Sequence, residues 1–489
     1  MDQVREACGV FVVQAPGVEV AQLVYDGLFA LQHRGQESAG MAVSDGETIT
    51  VVKDMGLVTS VFDARALASL DGHLALGHVR YSTTGPSTWQ NAQPVYRSDG
   101  YSGFALGHNG NLTNVAKLEA DAGMLPGVVT SDSDLLGELL ANAFPAEDRE
   151  DGRAGGKGLE AALLQVLDHV EGAFSLGLID EHRLYAVRDP NGFRPLCLGR
   201  LDPSGPGRPG GWVVASESPA LEVVGARFVR ELEPGELVVI DSHGPRSQWP
   251  FAPGRVDPRL CVFEFVYFAR PDTQLLGREV HAARRRMGSR LAAEAPVEAE
   301  LVVGVPDSGV PAAEGFASAA GIPFGQGLVK NRYIGRTFIA PTQDARAAGV
   351  RRKLNPLRES IAGRRLVVVD DSIVRGTTTR QIVRMLKDAG AAEVHLRVSS
   401  PPFRWPCFYG IDTPVREDLL GARMGIEEIA AHLGADSVAY LSLEGLLEAI
   451  GVPDAGFCSA CLTGSYPTPV DLAATTPEPP PAREPTPTA

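Results

Sequence analysis

The stretch RLVVVDDSIVRGTTTRQIVRMLKDAG at 365–390 leaves the chain around it few choices of fold. Four consecutive apolar residues, Leu366 to Val369, read as a buried strand. Asp370 and Asp371 stand at its carboxyl end. A loop, SIVRGTTT, then leads into a helix with Ile382, Met385, Leu386 and Ala389 on one side and Gly390 at its end. Ligands of open α/β sheets bind outside the carboxyl ends of strands. A helix start with Gly376 and the threonines 377–379 offers N–H and hydroxyl donors to a phosphate. The paired aspartates suit ribose hydroxyls or a Mg²⁺ ion bridging a pyrophosphate. An ordinary strand–helix turn has no use for two adjacent carboxylates at a buried end, and no GK[ST] follows a glycine as a Walker loop requires.

A second apolar run, LVVGV at 301–305, precedes PDSGVPAAEGF, whose small residues and Ser308 are suited to wrap a pyrophosphate with backbone amides. KNRYIGRTFI at 330–339 sets Lys330, Arg332 and Arg336 around a glycine and is expected to be a lid that excludes water. With EVHLRVSS at 393–400, these strand-like runs alternate with helical stretches. The pattern predicts a doubly wound α/β domain with a parallel sheet over 246–465.

The first half is patterned differently. Residues 8–14 read as a buried strand, and 20–32 carry Val20, Leu23, Val24, Gly27, Leu28 and Leu31 at helical spacing. GMAVSDGETITVV reads as a hairpin turning at Asp45 and Gly46. Short strands at 74–80 and 104–108 follow, then a helix from Ser131 and more strands to about 240. Strands mixed with separate helices predict an α+β layered domain over 8–245. The 489 residues accommodate both domains, and the Pro- and Thr-rich end, 466–489, is expected to be disordered. A formal charge of −15 argues against a general nucleic-acid-binding face. No apolar run reaches the length of a membrane span, and MDQVREA lacks the apolar core of a secretion signal. A cytoplasmic chain with neither nucleic acid nor membrane as partner is expected.

Cys8, in ACGVFVV, has two readings. One is a small core residue at the head of the first strand. The other is removal of residues 1–7, which leaves Cys8 carrying both a thiol and a free amine. The motifs CGVFVV, LQHRGQESAGMA, GHVRYSTTG, NAQPV, GHNGNLTN and TSDSD occur in this order over 8–134. Together they resemble the N-terminal-nucleophile (Ntn) glutaminase domain of class II glutamine amidotransferases, with αββα layers. The 365–390 stretch resembles the phosphoribosyl-diphosphate (PRPP) motif of type I phosphoribosyltransferases. Joined, the halves resemble the amidophosphoribosyltransferase family over roughly 8–465. That resemblance implies glutamine hydrolysis at an N-terminal cysteine and passage of ammonia to PRPP. The products are 5-phosphoribosylamine, glutamate and pyrophosphate, in the first step of de novo purine synthesis.

The resemblance also implies roles for residues. Self-cleavage between Ala7 and Cys8 frees an α-amine, with an ordinary pKa of about 8, to act as base for the adjacent thiol. Asn109 and Gly110 donate the oxyanion hole. Arg80 pairs with the glutamine α-carboxylate, a task for a bidentate guanidinium. Asp132 takes the α-ammonium, although its place at a helix start also suits a cap. Arg34 sits on a loop closing over glutamine. PRPP is bound by Asp307, Ser308, Gly309, Lys330, Arg332, Asp370, Asp371, Ser372, Arg375, Gly376, Thr377, Thr378 and Thr379. One Mg²⁺ per subunit is held by Ser308, Asp370 and Asp371. Purine nucleotides inhibit, and the assembly is a homotetramer.

The chain has six cysteines. A reducing compartment disfavours disulfides and leaves metal binding or catalysis for clustered ones. FCSACLTG supplies one Cys-x-x-Cys pair, Cys458 and Cys461, while Cys261 and Cys407 stand far off in sequence. Spacing leaves zinc and an iron–sulfur cluster both open. The resemblance implies one [4Fe-4S] cluster per subunit on these four, as in a family subgroup that also carries a propeptide. Cys197 is expected to be core. Two rivals fare worse. Other glutaminase-fused synthases lack a use for VVVDDSIVRGTTT, and a PRPP-sensing nucleic-acid binder sits badly with the net acidity.

Overall fold

The computed structural model describes residues 8–81, 87–98, 102–125, 127–144, 157–203, 210–331, 353–413, 415–453, 455–470 and 472. The first half is built on two antiparallel sheets. One has seven strands in the order Arg227–Glu231, Cys197–Leu201, Gly211–Ala215, Gly9–Gln14, Leu74–Arg80, Ser38–Ser44 and Ile49–Met55. The other has six, in the order Gly244–Gln248, Leu237–Asp241, Leu184–Arg188, Gly172–Ile179, Gly103–Leu112 and Val95–Ser98.

Gly9–Gln14 is central and buried throughout, because its apolar residues serve both faces in turn. Val10 and Val12 point to the seam between the sheets, with Leu76, Ala105, Ile179 and Val238. Phe11 and Val13 point the other way, under the helix Val20–Ala30. The second sheet is roofed by the helix Asp132–Asn142 through Leu135, Leu136 and Leu140. Helix, sheet, sheet and helix form the αββα stack expected from the sequence. Each fully buried Val or Leu in it contributes about 1.5–3 kcal/mol over an exposed one.

The second half holds a four-stranded parallel sheet in the order Leu301–Gly304, Arg365–Asp370, Glu393–Val398 and Ser437–Tyr440. Alternation again divides its faces. Val302, Val367 and Val369 meet the helices Val280–Glu294 and Val310–Ala320. Leu301, Val303, Leu366 and Val368 meet Thr377–Asp388 and Ile426–Leu433. Below this sheet, Leu260–Cys261 pairs in parallel with Phe457–Cys458. Among the described residues no helix is long and apolar enough to cross a membrane.

Candidate active sites

Cys8 lies just before the central strand of the first sheet and is buried. Its Sγ donates to the Tyr81 carbonyl at 3.3 Å and accepts the Tyr81 N–H at 3.4 Å. Burial pushes the thiol pKa up. The Tyr81 backbone and the Arg80 charge act against that shift, and the Asp132 and Glu37 charges add to it. Arg80 ends the neighbouring strand and is 3% exposed. Asp132 opens its helix and is 5% exposed. It is not the cap, because Ser131 accepts the Asp134 N–H in that role. The Asp132 carboxylate instead accepts the Leu112 N–H at 3.2 Å and the Ser133 N–H at 2.8 Å. A buried cation from one sheet and a buried anion beside the other therefore face the same thiol.

The two sheets touch where the His78 Nε2–H donates to the His108 carbonyl at 2.9 Å. Burial drives the His78 imidazole down to about 3, so it is neutral. The next residue, Asn109, is fully buried, and neither its Oδ1 nor its Nδ2 has a hydrogen-bond partner among the described residues. Leaving a buried amide unmatched costs about 1–3 kcal/mol, and such a group asks for a functional account. Gly110 follows at φ +152°, and a Cβ there would stand 1.9 Å from the Ala173 carbonyl oxygen. No side chain fits that place.

Arg34 requires a correction. It is buried, not presented to a glutamine pocket. Its Nε pairs with Glu217, and its Nη2 lies 2.5 Å from Glu264 Oε2, in the second half of the chain. Glu264 also receives Arg194 Nη1 at 3.2 Å. The side chains of Arg34, Glu217, Glu264 and Arg194 are all 0% exposed, so the set is a sealed ionic joint between the halves.

In the second half, Asp370 and Asp371 lie at the carboxyl end of their strand and are buried. The Ser308 hydroxyl donates to Asp371 Oδ2 at 2.5 Å, and the Ser372 hydroxyl to Asp371 Oδ1 at 2.6 Å. Burial, then the charge of Asp371, holds the Asp370 carboxyl well above the usual range. Burial also raises Asp371, against the Ser308 and Ser372 hydrogen bonds and the Arg284 charge. Gly309 precedes the helix Val310–Ala320. Gly376 precedes the helix Thr377–Asp388, with Thr377 and Thr378 half-buried in its first turn and Thr379 buried. Lys330 forms an ion pair with the exposed Asp307. Arg375 pairs with Asp418 at 3.3 Å. Arg332 and nearly all of the expected lid lie outside the described residues, as does the 1–7 leader.

The sequence reading passed over several residues. Arg284 sits in VHAARRRMGSRLAAE, which looks like a solvated face. It is buried, donating to the carbonyls of Phe265 and Ala269 at 2.8 Å each, with its charge toward Asp371. Gln93, from NAQPV, accepts the His108 N–H at 2.7 Å and donates to Ser133 Oγ at 3.0 Å, tying the residues just before Asn109 and just after Asp132. The signal was the motif itself, which carried no role.

Cys261, Cys407, Cys458 and Cys461 converge. Cys261 and Cys458 sit opposite each other on the two-residue ladder. After burial, the thiol of Cys458 is raised by the charges of Cys261 and Cys407, and that of Cys461 by the charges of Cys407, Cys261 and Cys458. No three His, Cys, Asp or Glu side chains among the described residues gather as ligands of a single metal ion. Cys197 is buried and donates to the Ala215 carbonyl at 3.2 Å.

The chain matches the glutamine amidotransferase domain family over 78–223 and the phosphoribosyl transferase domain family over 278–400. It is 54% identical to the amidophosphoribosyltransferase of Mycobacterium tuberculosis (strain ATCC 25618 / H37Rv), over 95% of this chain and 86% of that one. Against that of Synechococcus elongatus it is 49% identical, over 95% and 92%. Among solved structures, the glutamine phosphoribosylpyrophosphate amidotransferase of B. subtilis complexed with ADP and GMP superposes with a TM-score of 0.84 at 43% identity. That alignment covers 95% of this chain and 98% of the other.

Proposed function

Because this chain belongs to the amidophosphoribosyltransferase family, we propose how its residues divide that family's reaction between two centres. The enzyme takes the amide nitrogen of glutamine and places it on PRPP, the first step of purine synthesis. In the first half, Cys8 Sγ attacks the side-chain carbonyl carbon of glutamine. The α-amine of Cys8, freed by loss of residues 1–7, takes the thiol proton and returns it to the departing nitrogen. The C–N bond breaks, ammonia leaves, and water hydrolyses the thioester to glutamate. A thiol held protonated by burial needs such a base beside it.

The observation that carries this reading is the orphaned side chain of Asn109. An amide donor kept unmatched in a dry site, beside a backbone that only glycine can adopt, is what a developing oxyanion requires. Arg80 and Asp132 supply opposite charges for the α-carboxylate and α-ammonium of glutamine. The ammonia travels within the protein to C1 of the ribose and displaces pyrophosphate.

In the second half, the start of Thr377–Asp388 takes the 5-phosphate, and the loop Asp307–Gly309 with Lys330 takes the pyrophosphate. Asp370 and Asp371 bind the ribose hydroxyls or a Mg²⁺ ion. Two buried carboxylates, each raised in pKa, with the hydroxyl of Ser308 alongside, form an oxygen donor set suited to that hard cation. When bound, Mg²⁺ offsets the charge of the leaving pyrophosphate. The four converging cysteines would hold the [4Fe-4S] cluster that the family resemblance implies, four thiols being the ligand set such a cluster takes. Such a cluster would tie the 261, 407 and 458–461 segments together. Location in the cytoplasm, assembly as a tetramer and inhibition by purine nucleotides complete the reading. The B. subtilis relative was solved with ADP and GMP.

The test is pyrophosphate release from PRPP and Mg²⁺ in anaerobically purified protein, with glutamine or ammonium as nitrogen donor. Activity with both is expected, and Cys8→Ala keeps the ammonium reaction alone. Activity with neither, in protein that has lost its leader, removes the assignment.

A further inference from the structure

The oxyanion strand does not stand alone at its end. Asn111, one residue beyond Gly110, donates from Nδ2 to the Phe408 carbonyl at 3.0 Å. Phe408 belongs to the other half of the chain, in the turn that follows Cys407. Gly410 lies in the same turn at φ +107°, where L side chains are strained. A Cβ on it would come within 2.9 Å of Arg194 Nη2 and 3.5 Å of the Gly110 carbonyl carbon. The turn is thus packed against the backbone of the oxyanion glycine itself.

The turn is also clamped from its far side. Arg194 Nη2 donates to the Tyr409 carbonyl at 2.8 Å, while its Nη1 pairs with Glu264. The Phe193 ring stacks on Tyr409 with centroids 4.2 Å apart, and the Phe193 carbonyl accepts the Cys261 N–H at 3.1 Å. Tyr409 N–H in turn donates to Cys407 Sγ at 3.4 Å. All of these partners are buried or half-buried.

We propose that the Phe408–Gly410 turn of the phosphoribosyltransferase half is a positioning element for the glutaminase, with Asn111 and Arg194 as the positioning residues that hold it against the oxyanion hole. The proposal rests on the reading of Asn109 and Gly110 as oxyanion donors. Its logic is geometric. Oxyanion donors act only when placed to within a few tenths of an ångström, and a misplacement of about 1 Å costs about 10²-fold in rate. Arg80 ends its own strand and Asp132 opens its own helix, and the reading gives glutamine binding to these two and not to the turn.

The experiment compares Asn111→Ala, which loses the bond to Phe408, with Arg194→Lys, which keeps the charge and loses the fork. Glutaminase kcat and KM are measured beside ammonium-dependent pyrophosphate release. The expected result is a glutaminase kcat lowered at least about tenfold, a glutamine KM unchanged, and the ammonium reaction intact. A kcat for Asn111→Ala equal to that of the unaltered protein overturns the proposal. So does an equal loss of both reactions in both variants, which marks general misfolding. Asn109→Ala is run alongside. Unchanged glutaminase there removes the oxyanion reading and the proposal with it, and is distinguishable from the other failures because it involves no residue of the turn.

Discussion

Asn109 is expensive as it stands, because both polar atoms of its side chain are buried and unmatched. Asn109→Ala should therefore leave the fold as stable or slightly more so, while glutaminase kcat falls about 10²–10³-fold, the range for removing one oxyanion donor. Steady-state kinetics with glutamine, beside thermal melting, decide this. A melt lowered by many degrees would mean the amide was structural. At this scale the sequence was most legible where a residue type has one chemical use. The thiol at 8 heads the first strand, the glycine at 110 takes a backbone at positive φ, and the aspartates at 370 and 371 close a buried strand. It was least legible for arginines. Arg34 was expected on a loop over glutamine and Arg194 and Arg284 carried no role, yet all three are buried, the first two pairing with carboxylates distant in the chain and Arg284 donating to two backbone carbonyls. Only folding brings those partners near, so local spacing carried no trace of them.

At the scale of elements, the five-residue helical turn Glu264–Phe268 is the joint between halves, with Glu264 between Arg34 and Arg194. Glu264→Gln leaves two sealed guanidinium groups short of charge and should cost about 3–5 kcal/mol, read from denaturant titration of the whole chain. A loss under about 1 kcal/mol would mean that water reaches the joint. Glu217, on the other flank of Arg34, gives the joint a pH dependence. Burial alone would raise its carboxyl, but the Arg34 and His33 charges and hydrogen bonds outweigh this and hold it well below its ordinary 4.5. A depressed carboxyl stabilises above its unfolded value, so that part of the stability should fade as the pH falls below about 4.5.

The strand end at Asp370 and Asp371 behaves in the opposite sense. Both pKa values are raised, by burial first, so the native pair holds protons that the unfolded chain releases, and its contribution declines as pH rises above the ordinary 3.8. Were Mg²⁺ held by these carboxylates as proposed, it would compete with those protons. The rise in melting temperature on adding Mg²⁺ should be larger at pH 8 than at pH 5. An equal rise at both would place the ion elsewhere.

The molecule as a whole is two folds joined by buried contacts. The apolar alternation that builds each sheet was readable locally, so a layered α+β half and a parallel-sheet half were expected, while the αββα order came from the family resemblance. The joint was not, because it is made of charges and backbone carbonyls with no periodicity. If the leader must go for the α-amine to act, mass spectrometry of active protein should find Cys8 at the N-terminus. A form retaining residues 1–7 should react with ammonium and not with glutamine. Full glutaminase in the uncleaved form would assign the base elsewhere.

The parallel ladder that sets Cys261 beside Cys458 has a consequence in time. Chains leave the ribosome N-terminal end first, and domains fold as they emerge. The two-sheet sandwich is complete once residue 248 has appeared, but the turn that closes on its oxyanion strand arrives with residue 408, and the ladder only with residue 458. If that turn positions the oxyanion donors as proposed, the nascent hydrolase is unfinished until the half that consumes the ammonia supplies it. Order of birth alone would then hold back most of the ammonia release until the half that uses ammonia has been made.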